Sequence, residues 1–388
     1  VEALRLASAT ARLREGEKTY KMEDGMRFDV NMLASNQPLE DRMAAEIAPG
    51  AGKESWQYWG VYDGHAGWEC AEILRRSLIS QISSQLSVLP ANPKNNTTIT
   101  GAIKRGFNAM DRLIMRSALS AMDKANPATP EAIVALKVAM AGSCALLCMY
   151  DPKASILRTA CVGDSRAVLG RYDPSTSQYT AHALSTDQTG FNPSEVSRIT
   201  AAHPGEDDIL DPKSGRLLGL AVTRAFGDHR WKWSNDLIIS AKKHFFGTGP
   251  RPNSRTPPYL TAEPEVTETE IRTGASGDFV IMASDGLWDR ISSEDAVECV
   301  ARWIRAEQNK AFAKMPADGE WGAETGEAGN WRATPEYFVT EDENAATCLM
   351  KNAFGGSRRR LFCGVMSLAA PHSRAHRDDV TVQVLFFG

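Results

Sequence analysis

The sequence predicts an α+β domain with largely antiparallel sheets, and three observations carry that expectation. Short strand-like runs recur along the chain, helical patterns lie between them, and two of the strands are only three residues apart. The runs are Trp56–Tyr62, Ser143–Tyr150, Ile156–Val162, Arg166–Tyr172, Asp278–Ser284 and Val380–Phe387. Many stop at an acid or a glycine. Gly163-Asp164-Ser165, between the third and fourth runs, reads as the turn of a hairpin.

Helices are read from apolar spacing. Between Gly67 and Leu86, residues Trp68, Ala71, Leu74, Leu78 and Ile82 return every three or four positions. Ile103, Phe107, Met110 and Ile114 do the same within Gly101–Leu119. Asn192-Pro193-Ser194-Glu195 combines a cap, a first-turn proline and an N3 acid, and opens a helix to Ala202. Ser292–Ile304 reads as another capped helix, and Glu341–Phe354 as one stopped by Gly355-Gly356. No internal repeat is evident, so residues 1–388 are expected to form a single domain. Phe245–Pro258 and Lys310–Pro335 read as surface insertions, tolerated loops or sites of substrate or partner contact.

Composition excludes several classes. A net charge of -4 argues against a duplex-DNA binder, which would carry a basic stripe. No apolar run approaches the ~18 residues that span a membrane. None of the seven cysteines forms a CxxC pair; Cys144 and Cys148 sit in an apolar run as small buried groups, which favours a reducing compartment. The Ala/Leu/Arg-rich stretch Val1–Arg14, with one acid, suits either a helix or the remnant of a targeting segment.

Four acidic clusters stand at strand edges: Glu40-Asp41, Asp63-Gly64-His65, Asp285-Gly286 and Asp378-Asp379. Carboxylates without Cys pairs or HxxxH spacing point to Mg²⁺ or Mn²⁺ rather than Zn²⁺. Such acids could share two ions and activate water for an in-line displacement on a phosphate ester.

Five blocks resemble the signatures of metal-dependent type 2C protein serine/threonine phosphatases. They are Tyr62-Asp63-Gly64-His65-Ala66-Gly67, Gly163-Asp164-Ser165-Arg166-Ala167, Leu220-Ala221-Val222-Thr223-Arg224-Ala225-Phe226-Gly227-Asp228, Ser284-Asp285-Gly286-Leu287-Trp288-Asp289 and Arg377-Asp378-Asp379-Val380-Thr381-Val382. They occur in the family's order and span about 36–387. The resemblance implies a central β-sandwich of two antiparallel sheets flanked by pairs of antiparallel helices, with metals at one end. It also implies hydrolysis of phosphoserine or phosphothreonine in a phosphoprotein substrate, with no nucleic acid involved.

The family's first block is a Glu-Asp pair, for which Glu23-Asp24 and Glu40-Asp41 compete. Asp41 lies 22 residues before Asp63 and Asp24 lies 39 before it, and the shorter gap selects Glu40-Asp41. The family's phosphate-gripping arginine falls on Asn36, which brings no charge and no bidentate fork. That departure resembles the mitochondrial pyruvate dehydrogenase phosphatase branch, as do Ser35-Asn36-Gln37-Pro38-Leu39-Glu40-Asp41-Arg42, Arg216-Leu217-Leu218-Gly219-Leu220, Trp231-Lys232-Trp233 and Pro257-Pro258-Tyr259-Leu260-Thr261-Ala262-Glu263-Pro264-Glu265-Val266. The branch implies a matrix location and docking to pyruvate dehydrogenase and the lipoyl domain of its core; a cytoplasmic phosphatase with other substrates is the alternative. A catalytically dead scaffold and a two-metal nuclease are more distant rivals.

By resemblance Asp63 bridges two ions, Gly64 lends its carbonyl, Asp285 and Asp378 hold the first ion, and Asp41 acts on the second with Glu40 in its shell. His65 is the general acid. Asp164 and Asp289 either join Asp285 in a third, weaker site or are plain turn and helix-start acids. Asn36 is a candidate phosphate donor. Arg224 and Asp228 are expected to form a buried structural pair, and His182, His203 and His229 are read as structural or surface groups.

Overall fold

The computed structural model describes residues 3–22, 25–91, 96–124, 128–274, 276–317 and 331–387. They form a mixed α+β structure of antiparallel sheets and helices, gathered into two compact units. A terminal unit comprises Val1–Leu39, Arg166–Leu184 and Glu270–Gly388; a middle unit comprises Glu40–Ser165 and Ser185–Thr269.

The terminal unit is built on a six-stranded sheet in the order Lys18–Lys21, Arg27–Leu33, Val380–Phe386, Phe279–Ala283, Arg166–Asp173, Gln178–Ala183. Val380, Val382 and Val384 pack with Phe279, Ile281 and Ala283 into one core with the helices Leu6–Arg14, Ser293–Asn309, Ala345–Ala353 and Arg359–Ser367. Ser293–Asn309 starts where the Ser292 hydroxyl accepts from the Asp295 N–H at 3.0 Å, with Glu294 and Asp295 favoured by the helix dipole. It buries Val297, Val300 and Trp303. The helix expected from Glu341 begins only at Ala345, because Asn344 caps it through the Thr347 N–H at 3.0 Å.

The middle unit holds a five-stranded sheet in the order Glu265–Glu270, Ile156–Val162, Ala145–Asp151, Ser55–Tyr62, Arg42–Pro49. Its core joins Tyr58, Tyr62, Leu147 and Met149 to the apolar faces of the helices Glu69–Leu86, Asn96–Lys124 and Pro130–Met140, through Leu74, Leu78, Ile103, Phe107 and Leu136. Ile199, Leu217, Trp231 and Tyr259 form a separate apolar cluster.

The sheet order corrects one expectation. Ile156–Val162 belongs to the five-stranded sheet and Arg166–Asp173 to the six-stranded one, so Gly163-Asp164-Ser165 is a crossing between sheets and not a hairpin turn. Three residues allow a tight turn, but Gly163 (φ 103°) redirects the chain instead of pairing its flanks. The expected insertion 245–258 starts at the end of the helix Asn235–Phe245. Of the second, 310–335, residues 318–330 lie outside the described residues, as does the competing Glu23-Asp24 pair. Among the described residues no helix is long and apolar enough to cross a membrane.

Candidate active site

In the middle unit, strand Ser55–Tyr62 is buried from Trp56 onward and delivers Asp63 at its end. The chain then enters a two-residue strand, Gly64–His65, that pairs with Gly142–Ser143, which pairs in turn with Phe226–Gly227. His65 and Gly227 both lie opposite Gly142. A Cβ at position 142 would fall 2.1 Å from His65 Nε2 and 2.3 Å from Asp228 Oδ2, so only glycine lets those side chains meet. They do, at 2.7 Å.

Asp228 is buried and held in the left-handed region at φ 55°, an uncommon state for a residue with a side chain. Its N–H donates to Ala141 O at 3.0 Å, and its own carbonyl accepts from Trp231 N at 3.0 Å. Burial by itself would lower the His65 pKa. The charge and hydrogen bond of Asp228, aided by Asp164 and Glu40, outweigh it and hold the imidazole above its ordinary value.

This arrangement corrects the expected Arg224–Asp228 pair. Arg224 turns instead to Glu195, with Nε 3.0 Å from Oε1, and to Glu265 at 3.3 Å. The chain between them is not helical, so a spacing of four does not bring the two side chains together as it would on a helix.

The middle unit's acids converge on the same strand end. Asp63 and Asp164 each offer a carboxylate oxygen, within 4.8 Å of one another. Cys144 links them: its N–H donates to Asp63 O at 2.8 Å and its thiol to Asp164 Oδ1 at 3.4 Å. Burial pushes the Asp164 carboxyl up to about 6, and the nearby Asp187 adds to the rise. Glu40 accepts from the Gly67 N–H at 2.7 Å, and a Cβ on Gly64 would stand 2.5 Å from the Glu40 carbonyl. Asp41 is 1% exposed. Hard oxygens close together, one of them resisting ionisation, are a donor set suited to a divalent cation of the Mg²⁺ or Mn²⁺ kind.

The terminal unit places its acids differently. Asp285 opens a short helix, Asp285–Trp288, directly after the buried strand Phe279–Ala283 and the cap Ser284. Asp289 follows one turn later, its N–H donating to Asp285 O at 2.9 Å. Asp378 is ion-paired with Arg374 and accepts from the Asp379 N–H at 2.7 Å. Burial raises the Asp378 pKa although Arg374 opposes the rise. Asp379 accepts from the N–H groups of Ser35 (2.5 Å) and Asn36 (2.8 Å) and from Asn36 Nδ2 at 3.1 Å. The Asn36 amide thus ties its own segment to Asp379.

His203 and His182 bond to Thr256 and Thr180, and burial takes His229 down to about 4. The functional residue that sequence spacing missed is Asp228, which sat in a recognised block but beside the wrong partner.

Residues 26–318 match the family model described as Protein phosphatase 2C. The chain belongs to the protein phosphatase 2C family. It is accordingly a metal-dependent protein phosphatase, a hydrolase. It is 37% identical to a protein phosphatase 2C homolog of Schizosaccharomyces pombe, over 97% of this chain and 84% of that one. It is 35% identical to the mitochondrial [pyruvate dehydrogenase [acetyl-transferring]]-phosphatase 1 of Saccharomyces cerevisiae, over 97% of this chain and 72% of that one. The human mitochondrial phosphatase 2 of the same description is 28% identical, over 97% and 82%. The crystal structure of a serine-threonine phosphatase 2C from Toxoplasma gondii shares the fold, with a TM-score of 0.53 at 17% identity, over 93% of this chain and 95% of that one.

Proposed function

We propose that this phosphatase removes phosphate from serine or threonine of the pyruvate dehydrogenase complex in the mitochondrial matrix, docking through the lipoyl domain of the complex core. The observation that carries the chemistry is the 2.7 Å contact of His65 with Asp228, two residues beyond Asp63. A proton donor stands beside a hard-oxygen donor set. In this proposal Asp63 and the Gly64 carbonyl would serve both ions. Asp285 and Asp378 would hold the first ion, Asp41 and Glu40 would serve the second, and Asp164 and Asp289 would join Asp285 in a third, weaker site. Two bound Mg²⁺ or Mn²⁺ ions supply the charge that makes water nucleophilic near neutral pH and that neutralises phosphoryl oxygens.

His65 donates its proton to the serine or threonine oxygen as the P–O bond breaks. Asp228 fixes the ring by accepting from Nε2. Asn36, engaged with Asp379, adds no charge to the phosphoryl grip, so the substrate is held by interactions beyond its phosphate. The substrate and the compartment are supported by the relatives in Saccharomyces cerevisiae and human, whose names carry both. The Schizosaccharomyces pombe relative, named only as a phosphatase 2C homolog, favours the second reading, a phosphatase with other protein substrates.

Purified protein with Mn²⁺ should hydrolyse a phosphoserine peptide in an EDTA-sensitive way, and phosphorylated pyruvate dehydrogenase faster than an unrelated phosphoprotein. No EDTA-sensitive hydrolysis would overturn the chemistry. Equal rates on the two proteins would overturn the substrate alone.

A further inference from the structure

The 245–258 segment folds back onto the Arg216–Leu220 turn of the same unit, and arginines join the two. Arg251 Nε donates to Leu218 O at 2.6 Å, Arg230 Nε to Gly249 O at 2.7 Å, and Arg216 Nη1 to Gly219 O at 3.1 Å. Trp231 is the platform beneath. Its indole N–H is fixed on Leu217 O at 3.0 Å, and the guanidinium carbons of Arg251 and Arg230 lie 5.0 and 5.7 Å from its ring centre. The turn is shaped for this arrangement: Gly219 has φ 86°, and a Cβ there would stand 2.0 Å from Arg251 Nη2.

Neighbouring arginines of the middle unit have acids. Arg224 and Arg198 face Glu195, and Arg255 faces Asp208. Arg230 and Arg251 form no ion pair among the described residues. They are half-buried, and burial together with the charge of Arg251 lowers the Arg230 pKa. Two cations without an ion pair sharing one indole repel one another, a cost that Asp228 offsets in part at Arg230 and that an incoming anion would relieve further. Arg230 is also two residues from Asp228, so their Cα atoms are at most about 7 Å apart. Arg230 therefore lies close along the chain to the residue that holds His65.

We infer that Arg230 and Arg251, seated on Trp231, form a lip that binds acidic side chains flanking the phosphorylated residue of the protein substrate. The inference rests on the protein-phosphatase reading above. The Nη groups left over after each backbone bond match the fork of a carboxylate. Half-burial makes such a contact stronger than an exposed ion pair.

The full chain with Mn²⁺ is assayed on three substrates: a phosphoserine peptide flanked on both sides by Glu, the same peptide flanked by Gln, and p-nitrophenyl phosphate. The Glu-flanked peptide should be preferred by about tenfold in kcat/KM at low salt, mostly through KM, and the preference should shrink as salt rises. Arg230→Gln with Arg251→Gln should erase the preference and leave the other two substrates unchanged; Arg251→Gln alone should reduce it if the double variant does not fold. A wild type without preference, a folded variant that keeps it, or a variant equally impaired on all three substrates overturns the lip. Failure of the wild type on both peptides overturns the phosphatase reading instead.

Discussion

The middle and terminal units carry acids from different blocks of the same family and hold them in different ways. In the middle unit Asp63, Asp164 and Glu40 are placed by backbone and thiol donors, and the charged side chain at the site, His65, has an acid of its own in Asp228. In the terminal unit Asp378 already has a cation on it, Arg374, and its neighbour Asp379 an amide, that of Asn36. In the proposed site the middle unit's acids are prearranged for a cation, and Asp378 must exchange a partner to accept one. Preorganisation therefore belongs to the middle unit, and adjustable affinity to the terminal unit.

The largest effect should come from removing Asp63, the proposed bridge. Asp63→Asn should cost more than a hundredfold in metal-dependent activity, since even partners one step removed from a metal typically cost 10–100-fold. Mn²⁺ titration of phosphopeptide hydrolysis reads it, and near-normal activity would end the claim that the middle unit leads. The unit's rigidity has its own test at Glu195. Burial pushes that carboxyl up, but bonds from Arg224, Arg198 and Thr223 outweigh it and take it down to about 2. The stability it contributes is fully present above its ordinary value of 4.5 and is lost as pH falls through about 2. Glu195→Gln leaves buried Arg224 with only the more exposed Glu265 as counter-charge and should cost about 3 kcal/mol in urea unfolding at pH 7. At pH 2 the gap between variant and wild type should narrow.

What was legible in the sequence follows the same divide. Trp56–Tyr62 running into Asp63, and Phe279–Ala283 running into Asp285, are apolar strands ending in acids, and both were readable locally. Arg27–Leu33 was not, because two of its interior positions are polar and their partners are remote. Asp29 receives the Ala345 N–H at 2.7 Å and Asn31 donates to Leu13 O at 2.9 Å, so polar residues occupy positions where alternation looks for apolar ones. The crossing at Gly163-Asp164-Ser165 looked like a hairpin because sequence shows the length of a connection and not the sheet it leads to. The His65–Asp228 contact joins residues 163 positions apart through the register at Gly142. No local pattern contains that register.

Asp228→Asn tests whether the pair serves the chemistry or only the fold. The hydrogen-bonded shape survives the change, but the carboxylate that holds the ring is gone. Hydrolysis of a phosphoserine peptide should fall about 10–100-fold, because the alkoxide of serine needs a proton as it leaves. Hydrolysis of p-nitrophenyl phosphate, whose leaving group needs none, should fall far less. Equal losses on both substrates would make Asp228 a purely structural support.

The smallest effect should come from the terminal unit, at Arg374. Its side chain is 52% exposed and that of Asp378 is 23% exposed, so their attraction is screened and worth at most about 1 kcal/mol. In the proposed site Asp378 gives up that contact to the ion, and Arg374→Ala removes the competitor beforehand. The Mn²⁺ concentration for half-maximal activity should then drop by about two- to fivefold, with kcat unchanged. The same substitution should leave thermal stability within about 0.5 kcal/mol, as for most surface changes. A half-saturation point that rises instead would show that Arg374 steadies Asp378 for the ion, and the two units would then be prearranged alike.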